Sequence, residues 1–199
     1  MQHALPGAAA QAHLAPVPRR QWPTGFNPAR VRHAAGLLLA FPIQNRTHIV
    51  LTQRAHTLER HGGQISLPGG VVEPGETFEH AALREAHEEI ALPIETVRVA
   101  GALTPLDIPI SGFRLHPIVA VAQSRPPLQP ADGEVARIIE PSLDELLHPA
   151  ALASTIRSRD GQDVRAPAFR VGDAEIWGAT AMVLAEFLAL LGWPGPKPV

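Results

Sequence analysis

Residues 69–92 read GGVVEPGETFEHAALREAHEEIAL, and this stretch bears most directly on fold and function. Its apolar spacing from 77 to 91 predicts a helix, because apolar side chains recur there at three- and four-residue intervals. On that helix Glu85, Glu88 and Glu89 stand at i, i+3 and i+4, so three carboxylates share one face. The stretch therefore predicts an amphipathic helix that packs by one stripe and presents an acidic face beside it.

The acidic face has little local charge compensation. Arg84 is the only Arg or Lys in the predicted helix, and like charges at these spacings destabilise a helix by roughly a few tenths of a kcal/mol per pair. Such a face is either simply solvated or holds a cation, and Mg²⁺ prefers oxygen ligands and bridges carboxylates to phosphates. The preceding pair Gly69-Gly70 lets the backbone approach a ligand closely. The two features together favour a metal site.

The same stretch resembles the Nudix box. That motif runs Gly, five residues, Glu, seven residues, Arg-Glu, an apolar residue, any residue, Glu-Glu, any residue, Gly and an apolar residue. The positions in register here are Gly70, Glu76, Arg84, Glu85, Ala86, Glu88, Glu89 and Leu92. The one departure is Ala91, where the family usually has Gly. Because a left-handed backbone is favoured at a helix end, Ala there costs about 1 kcal/mol or shifts the cap, without removing a ligand.

The resemblance implies a set of metal and catalytic residues. Glu85, Glu88 and Glu89, with the carbonyl of Gly70, would hold Mg²⁺ or Mn²⁺, and Arg84 would orient the carboxylates. Glu76 would be a structural or outer-sphere partner. The general base lies outside the box in many family members, and Glu134 is the candidate here for that role or for an extra metal ligand. The alternative for Glu134 is an ordinary exposed loop residue.

A second motif lies upstream and resembles the coenzyme A pyrophosphatase branch of the family. The matching residues are Arg54, Leu58, His61, Gly63, Gln64, Pro68, Gly69 and Gly70. Leu67 stands where that branch usually has Phe, so an aromatic contact is lost. Further similarity at Ser111-Gly112-Phe113 and at residues 176–181 extends the resemblance over residues 34–191.

This branch implies hydrolysis of coenzyme A and its derivatives to 3′,5′-ADP and (acyl-)4′-phosphopantetheine. Substrate binding would then fall to Arg54, His61, Gln64 and Phe113. Arg suits phosphate by its geometry, although Arg54 also fits an ordinary surface charge and His61 a hydrogen bond that orders the loop. Phe113 fits a stacking contact or a buried aromatic.

Two other functions remain open. The first is a Nudix diphosphatase acting on ADP-ribose, a dinucleotide, a nucleotide sugar or a nucleoside triphosphate, which would share every box residue. The second is a non-catalytic Nudix-fold binding or regulatory module. Such proteins usually lose box carboxylates or carry a DNA-binding domain, whereas Glu85, Glu88 and Glu89 are all present here.

Composition limits the class of protein. A chain of 199 residues with 45% apolar residues can bury the core of one ordinary domain. A net charge of −2 gives no general electrostatic reason to bind nucleic acid or an anionic membrane. There is no Cys, which suits a reducing cytoplasm, and we expect a cytoplasmic enzyme with a small nucleotide-diphosphate substrate. Oligomeric state stays open, with a homodimer among the options.

The remaining pattern predicts an α/β fold, and the resemblance implies a Nudix-type α/β/α sandwich with a mixed β-sheet. Strands are expected at 34–41 and 47–52, paired across Gln44-Asn45-Arg46, and at 97–103 and 113–122; a second helix is expected at 180–191. The predicted organisation is an irregular or flexible N-terminal arm over 1–32, a hydrolase domain over 33–193 and a tail over 194–199.

Overall fold

A computed structural model describes residues 4–55, 63–131, 133–159 and 162–196. Its helices are α1 (Gly7–Ala12), α2 (Phe78–Ile90), α3 (Leu143–Leu147) and α4 (Gly178–Leu190). Its strands are β1 (Arg32–Ile43), β2 (Arg46–Ile49), β3 (Leu51–Arg54), β4 (Ile65–Ser66), β5 (Gly69–Val71), β6 (Val97–Ala102), β7 (Leu106–Ile108), β8 (Phe113–Ala122), β9 (Val135–Ile139), β10 (Leu152–Arg159), β11 (Gln162–Val171) and β12 (Ala174–Trp177).

The central sheet is mixed, as expected. Its path runs β2-β1-β8-β6, with β5 added beside β1 and β7 beside β8. Strands β1 and β8 are parallel, whereas the other pairs are antiparallel. The expected hairpin is confirmed, with a turn of two residues rather than three, because Arg46 already belongs to β2. Gln44 and Asn45 both have positive φ (46° and 65°), which a tight two-residue turn requires.

Two helices cover the two faces of this sheet. Alternate side chains of β1 point to opposite faces, so Leu37 and Leu39 pack with α2 while Leu38 and Ala40 pack with α4. Helix α4 is apolar almost all round and its residues 180–188 are buried. The α/β sandwich with a mixed sheet is therefore confirmed.

Two smaller sheets flank the central one. One has the order β4-β3-β9 and the other β10-β11-β12. The predicted strand at 47–52 is in fact two strands, because the chain passes from the central sheet to the β4-β3-β9 sheet at Val50. None of the helices in the described ranges has the length and apolar character that a membrane span requires.

Part of the N-terminal arm packs against α4 as the short helix α1, and the irregular pattern of residues 1–32 did not predict this helix. Helix α1 is held by the carboxylate of Glu186, which is fully buried. That carboxylate accepts hydrogen bonds from the backbone N–H of Gly7, the side-chain amide of Gln11 and the hydroxyl of Thr104. A buried charge needs such donors, so tertiary contacts rather than local periodicity order this segment. The boundary of the hydrolase domain at residue 33 stays a prediction.

Candidate active site

Helix α2 carries the predicted acidic face and has well-defined ends. Thr77 precedes it, and its side chain accepts a hydrogen bond from the backbone N–H of His80. Ala91 ends it in the left-handed conformation (φ 52°, ψ 35°) and donates its N–H to the carbonyl of Ala86. The cap therefore stays where the sequence predicts it, with Ala rather than Gly in a conformation that disfavours a Cβ.

Arg84 is the centre of the acidic face. Its Nε and Nη2 donate to the two oxygens of Glu76 at 2.9 and 3.1 Å. Its Nη1 donates to both Glu85 and Glu88, at 2.9 and 3.0 Å. The second Nη2 hydrogen bond goes to the carbonyl of Val71 at 3.1 Å. These contacts use all five donors of a guanidinium group, so Arg84 fixes three carboxylates and the end of β5 at once.

The electrostatics of these carboxylates differ. Hydrogen bonds from Arg84, then from the backbone of Glu73 and from His80, lower the pKa of Glu76 to about 2. Burial raises the pKa of Glu85, and repulsion from Glu88 and Glu76 adds to this effect, while Arg84 opposes it. Glu76 is thus a permanent anion that holds Arg84, whereas Glu85 lies where additional positive charge would be favourable.

Two glycines let the backbone of β5 approach its neighbours closely, Gly70 against α2 and Gly69 against β1. A Cβ on Gly70 would lie 2.5 Å from the carboxylate of Glu85, and a Cβ on Gly69 would lie 2.2 Å from the carbonyl oxygen of Ala35. The N–H of Gly69 also donates to Glu89 at 3.2 Å, although Glu89 is only 7% exposed. A larger residue at position 70 would push the strand away from the carboxylate of Glu85, and one at position 69 would push it away from β1, so close approach explains both glycines.

The donor set fits a hard divalent cation. Glu85, Glu88, Glu89 and the carbonyl of Gly70 offer only oxygen, which Mg²⁺ and Mn²⁺ prefer. Glu85 lies directly against the Cβ-free side of Gly70. Across the described ranges, no three His, Asp or Glu side chains are already arranged as a metal cage, and Arg84 balances the charge of Glu85 and Glu88 through a single nitrogen.

Two of the predicted site residues outside the box, Arg54 and Glu134, contact each other. Arg54, at the end of β3, donates from Nη2 to Glu134 at 2.8 Å, 80 residues away in the chain. The backbone reinforces this contact, because the N–H of Ala55 donates to the carbonyl of Glu134. Arg54 and Glu134 are about one-third and one-half exposed. Arg54 therefore forms an ion pair with Glu134. The sequence predicted Arg54 as a phosphate ligand and did not predict this ion pair.

The other predicted substrate residues are dispersed. Gln64 lines a cavity beside β3 and β4. Phe113 begins β8, opposite Arg32 of β1, whose guanidinium covers one face of the ring at 4.0 Å. The structure does not bring Phe113 to the acidic face, which β5 and α2 form near Ala35, three residues further along β1. His61 lies outside the described residues.

Sequence reasoning missed the residues contributed by the β10-β11-β12 sheet. Arg157 and Trp177 lie across the cavity from Gln64, and Arg137 bridges Gln53 and Asp173. The signal available was Asp160-Gly161 between two strand-like runs, a pair typical of a hairpin turn. No strand is predicted over residues 152–177, because the strands there carry few large apolar residues.

Comparison with known proteins identifies the family. Residues 32–159 match the NUDIX domain. A protein from Enterobacter sp. (strain 638), named as an uncharacterized Nudix hydrolase NudL, is 32% identical over 162 residues, which cover 81% of this chain and 84% of that protein. A protein of the same name from Photorhabdus laumondii is 36% identical over 156 residues, covering 78% and 82%.

Solved structures support the fold. RenU, a Nudix hydrolase from M. smegmatis, superposes with a TM-score of 0.59 at 22% identity, over 84% of this chain and 90% of that one. A MutT/nudix family protein from Enterococcus faecalis gives a TM-score of 0.54 at 15% identity, over 87% and 66%. At these identities the likeness concerns the fold alone.

Proposed function

The chain belongs to the Nudix hydrolase family, and on that premise we propose that it hydrolyses the diphosphate of coenzyme A and its derivatives. Water attacks one phosphorus of the diphosphate, and the bond from that phosphorus to the bridging oxygen breaks. Coenzyme A then yields 3′,5′-ADP and 4′-phosphopantetheine. An acyl derivative yields the corresponding acyl-4′-phosphopantetheine, because the thioester lies far from the diphosphate.

The main support for this proposal is that the described residues of the upstream motif lie on the β3–β4 hairpin, which leads directly into the glycines of the box. The N–H of Arg54 donates to the carbonyl of Gln64, and the N–H of Gly63 donates to the carbonyl of Arg54, both at 3.0 Å. The chain then continues through β4 into Gly69 and Gly70, which touch Glu89 and Glu85. The motif that distinguishes the branch is thus continuous with the acidic face.

The box residues would prepare the reaction centre. Glu85, Glu88, Glu89 and the Gly70 carbonyl would hold one or more Mg²⁺ or Mn²⁺ ions. A bound ion of this kind neutralises diphosphate oxygens and lowers the pKa of an attacking water. Arg84 orients Glu85 and Glu88 through its Nη1, which removes the need to reorganise these carboxylates when charge develops on the substrate.

Outside the box, we assign Glu134 as the carboxylate that accepts a proton from the attacking water. Arg54 orients it by the 2.8 Å ion pair, so Arg54 acts on the reaction through Glu134 as well as through substrate phosphate. Gln64 is assigned to substrate recognition from this position, and His61, which lies outside the described residues, is assigned to it from the motif alone. Phe113 is assigned to a peripheral contact, since Arg32 already covers one face of its ring.

The test is hydrolysis of four substrates in parallel. Coenzyme A, ADP-ribose, NADH and dATP are incubated separately with the protein and Mg²⁺ or Mn²⁺, and the products are resolved by chromatography. Glu89→Gln serves as the inactive variant. Glu79→Gln is its matched control, because Glu79 is an exposed residue of the same helix at a variable position of the box.

We expect 3′,5′-ADP and 4′-phosphopantetheine to form fastest, with activity lost in Glu89→Gln and kept in Glu79→Gln. Faster cleavage of ADP-ribose, NADH or dATP would instead establish a diphosphatase with another substrate. If none of the four is cleaved while the protein binds the metal, a binding or regulatory module becomes the better description.

A further inference from the structure

A cavity of about 290 Å³ lies between the β3–β4 hairpin and the β10-β11-β12 sheet. Gln53 and Gln64 line one wall, and Arg157, Glu175 and Trp177 line the other. Pockets that enclose a whole ligand occupy roughly 300–1,000 Å³, so this cavity suits one end of a larger molecule.

Hydrogen bonds hold the two walls in place. The hydroxyl of Thr180, at the start of α4, donates to the carbonyl of Ile65 at 3.0 Å in a buried contact. Arg137 donates to Gln53 on one wall and to Asp173 on the other, at 2.6 and 2.9 Å. The cavity is therefore preformed, which reduces the entropy lost when a ligand binds.

The guanidinium group of Arg157 has one N–H donor, Nε, that is not used in a hydrogen bond with the described residues. Its guanidinium lies over the ring of Trp177, 4.2 Å from the centroid, and its Nη2 donates to Glu175. Its Nε is shielded from solvent and has no hydrogen-bond partner among the residues that the structure describes. An unsatisfied buried N–H on a cation is unfavourable, so an acceptor that enters the cavity would gain a strong contact once the side chain turns towards it.

The charge of this ion-pair cluster also favours an anion. Glu175 is shared by Arg157 and Arg170, and Asp173 accepts from Arg137. Three guanidinium groups thus meet two carboxylates, which gives the cluster a net charge of +1, while the charged residues that line the cavity itself are Arg157, Asp173 and Glu175. The planar guanidinium matches phosphate oxygens better than a point charge does.

We propose that this cavity binds a phosphomonoester at the nucleoside end of the substrate, and that Arg157 determines specificity for it. The proposal rests on the proposed function, because coenzyme A has a 3′-phosphate that dephospho-coenzyme A lacks. The distance is compatible with one bound molecule. Ile65 lines the cavity and Gly70 touches Glu85, and the five intervening steps of chain span at most about 18 Å.

The experiment measures kcat and KM for coenzyme A and for dephospho-coenzyme A. The variants are Arg157→Gln, Arg157→Lys and the matched control Arg165→Gln, an exposed arginine of the same sheet that bonds Ser154. We expect Arg157→Gln to raise the KM for coenzyme A about tenfold, the size of one lost charge-assisted hydrogen bond. Its kcat, and both constants for dephospho-coenzyme A, should not change. Arg157→Lys should restore part of the difference, and Arg165→Gln should match the wild type.

Two results would overturn the proposal: a wild-type enzyme that does not distinguish the two substrates, or an Arg157→Gln variant that loses activity equally on both. If neither substrate is cleaved, the proposed function has failed and the cavity is tested by calorimetric titration with 3′,5′-ADP and with AMP. Tighter binding of 3′,5′-ADP that disappears in Arg157→Gln supports the cavity, and equal binding of the two nucleotides overturns it.

Discussion

Arg84 and Arg157 both lie against carboxylates, but their guanidinium groups are bonded to different extents. All five N–H donors of Arg84 are used, four of them by Glu76, Glu85 and Glu88. Arg157 has Glu175 on one nitrogen and Trp177 under its face, while its Nε has no partner within the described ranges.

This difference in hydrogen bonding indicates that Arg84 positions other side chains, whereas Arg157 is suited to bind a ligand. A guanidinium group whose five N–H donors are all used cannot donate to a ligand, so it affects the reaction rate only through the carboxylates that it positions. A guanidinium with a spare donor is suited to contact the ligand itself. Changes at the Arg84 cluster should therefore alter kcat or stability, whereas changes at Arg157 should alter KM for one class of substrate.

The largest effect is expected from Glu85→Gln. Burial and the neighbouring anions already raise the pKa of Glu85, so a neutral side chain of the same shape should leave the free energy of unfolding unchanged or slightly higher. Loss of its negative charge should lower kcat by about 10³-fold. Steady-state kinetics and urea unfolding of the same preparation check this. A stable variant with nearly full activity would remove Glu85 from the reaction centre.

Arg84→Lys should have the next largest effect, because a Lys offers three donors in place of five. The side chain of Arg84 is 20% exposed, and we expect the free energy of unfolding to fall by about 2 kcal/mol. Mispositioned carboxylates should also lower kcat by roughly 10–100-fold. Urea unfolding and kinetics measure the two effects.

The control for Arg84→Lys is Arg125→Lys. Arg125 also makes a two-pronged contact, with Glu140, but its side chain is 47% exposed. We expect a loss below about 1 kcal/mol and no change in kcat. Equal destabilisation by both variants would show that Arg84 contributes no more than a surface ion pair.

A smaller effect is expected from Glu76, and it depends on pH. The pKa of Glu76 is about 2 in the folded protein, against an ordinary value of 4.5. The unfolded chain takes up a proton first as the pH falls, so the stabilisation from Glu76 is complete above about pH 4.5 and is lost towards pH 2. Urea unfolding across this window should show a flatter pH dependence for Glu76→Gln than for the wild type.

Glu79→Gln provides the comparison for Glu76→Gln, because Glu79 is exposed in the first turn of α2, three residues after Glu76, and the donors of Arg84 are used by other groups. Its stability profile should run parallel to that of the wild type between pH 4.5 and 2. If Glu76→Gln also runs parallel to the wild type, the ion pair with Arg84 does not persist in solution.

The smallest expected effect concerns the end of the box helix. Ala91 has φ 52°, a conformation that costs an L-residue more than Gly, so Ala91→Gly should raise the free energy of unfolding by about 1 kcal/mol. Because the change removes no contact of Arg84, kcat should stay the same. A variant that is less stable than the wild type would show that the methyl group of Ala91 contributes more by packing than its backbone loses.

The box region could be predicted almost completely because its information is local. The three- and four-residue spacing identifies α2 to within one residue at each end, and the pairing across Gln44-Asn45 follows from turn chemistry. The β10-β11-β12 sheet could not be predicted with the same ease. Its strands alternate weakly, and apart from the Asp160-Gly161 signal in the sequence their placement depends on packing against β4 and α4.

The sequence by itself determined that Glu85, Glu88 and Glu89 share a helix face next to two glycines, because helical periodicity fixes relative direction over one or two turns. Only the tertiary structure decided that Arg54 bonds Glu134 and that Arg157 lies across a cavity from Gln64. These pairs are 80 or more residues apart, and which strands become neighbours depends on the burial of the whole core. No local pattern encodes that choice, so contacts between distant segments have to be read from the folded chain.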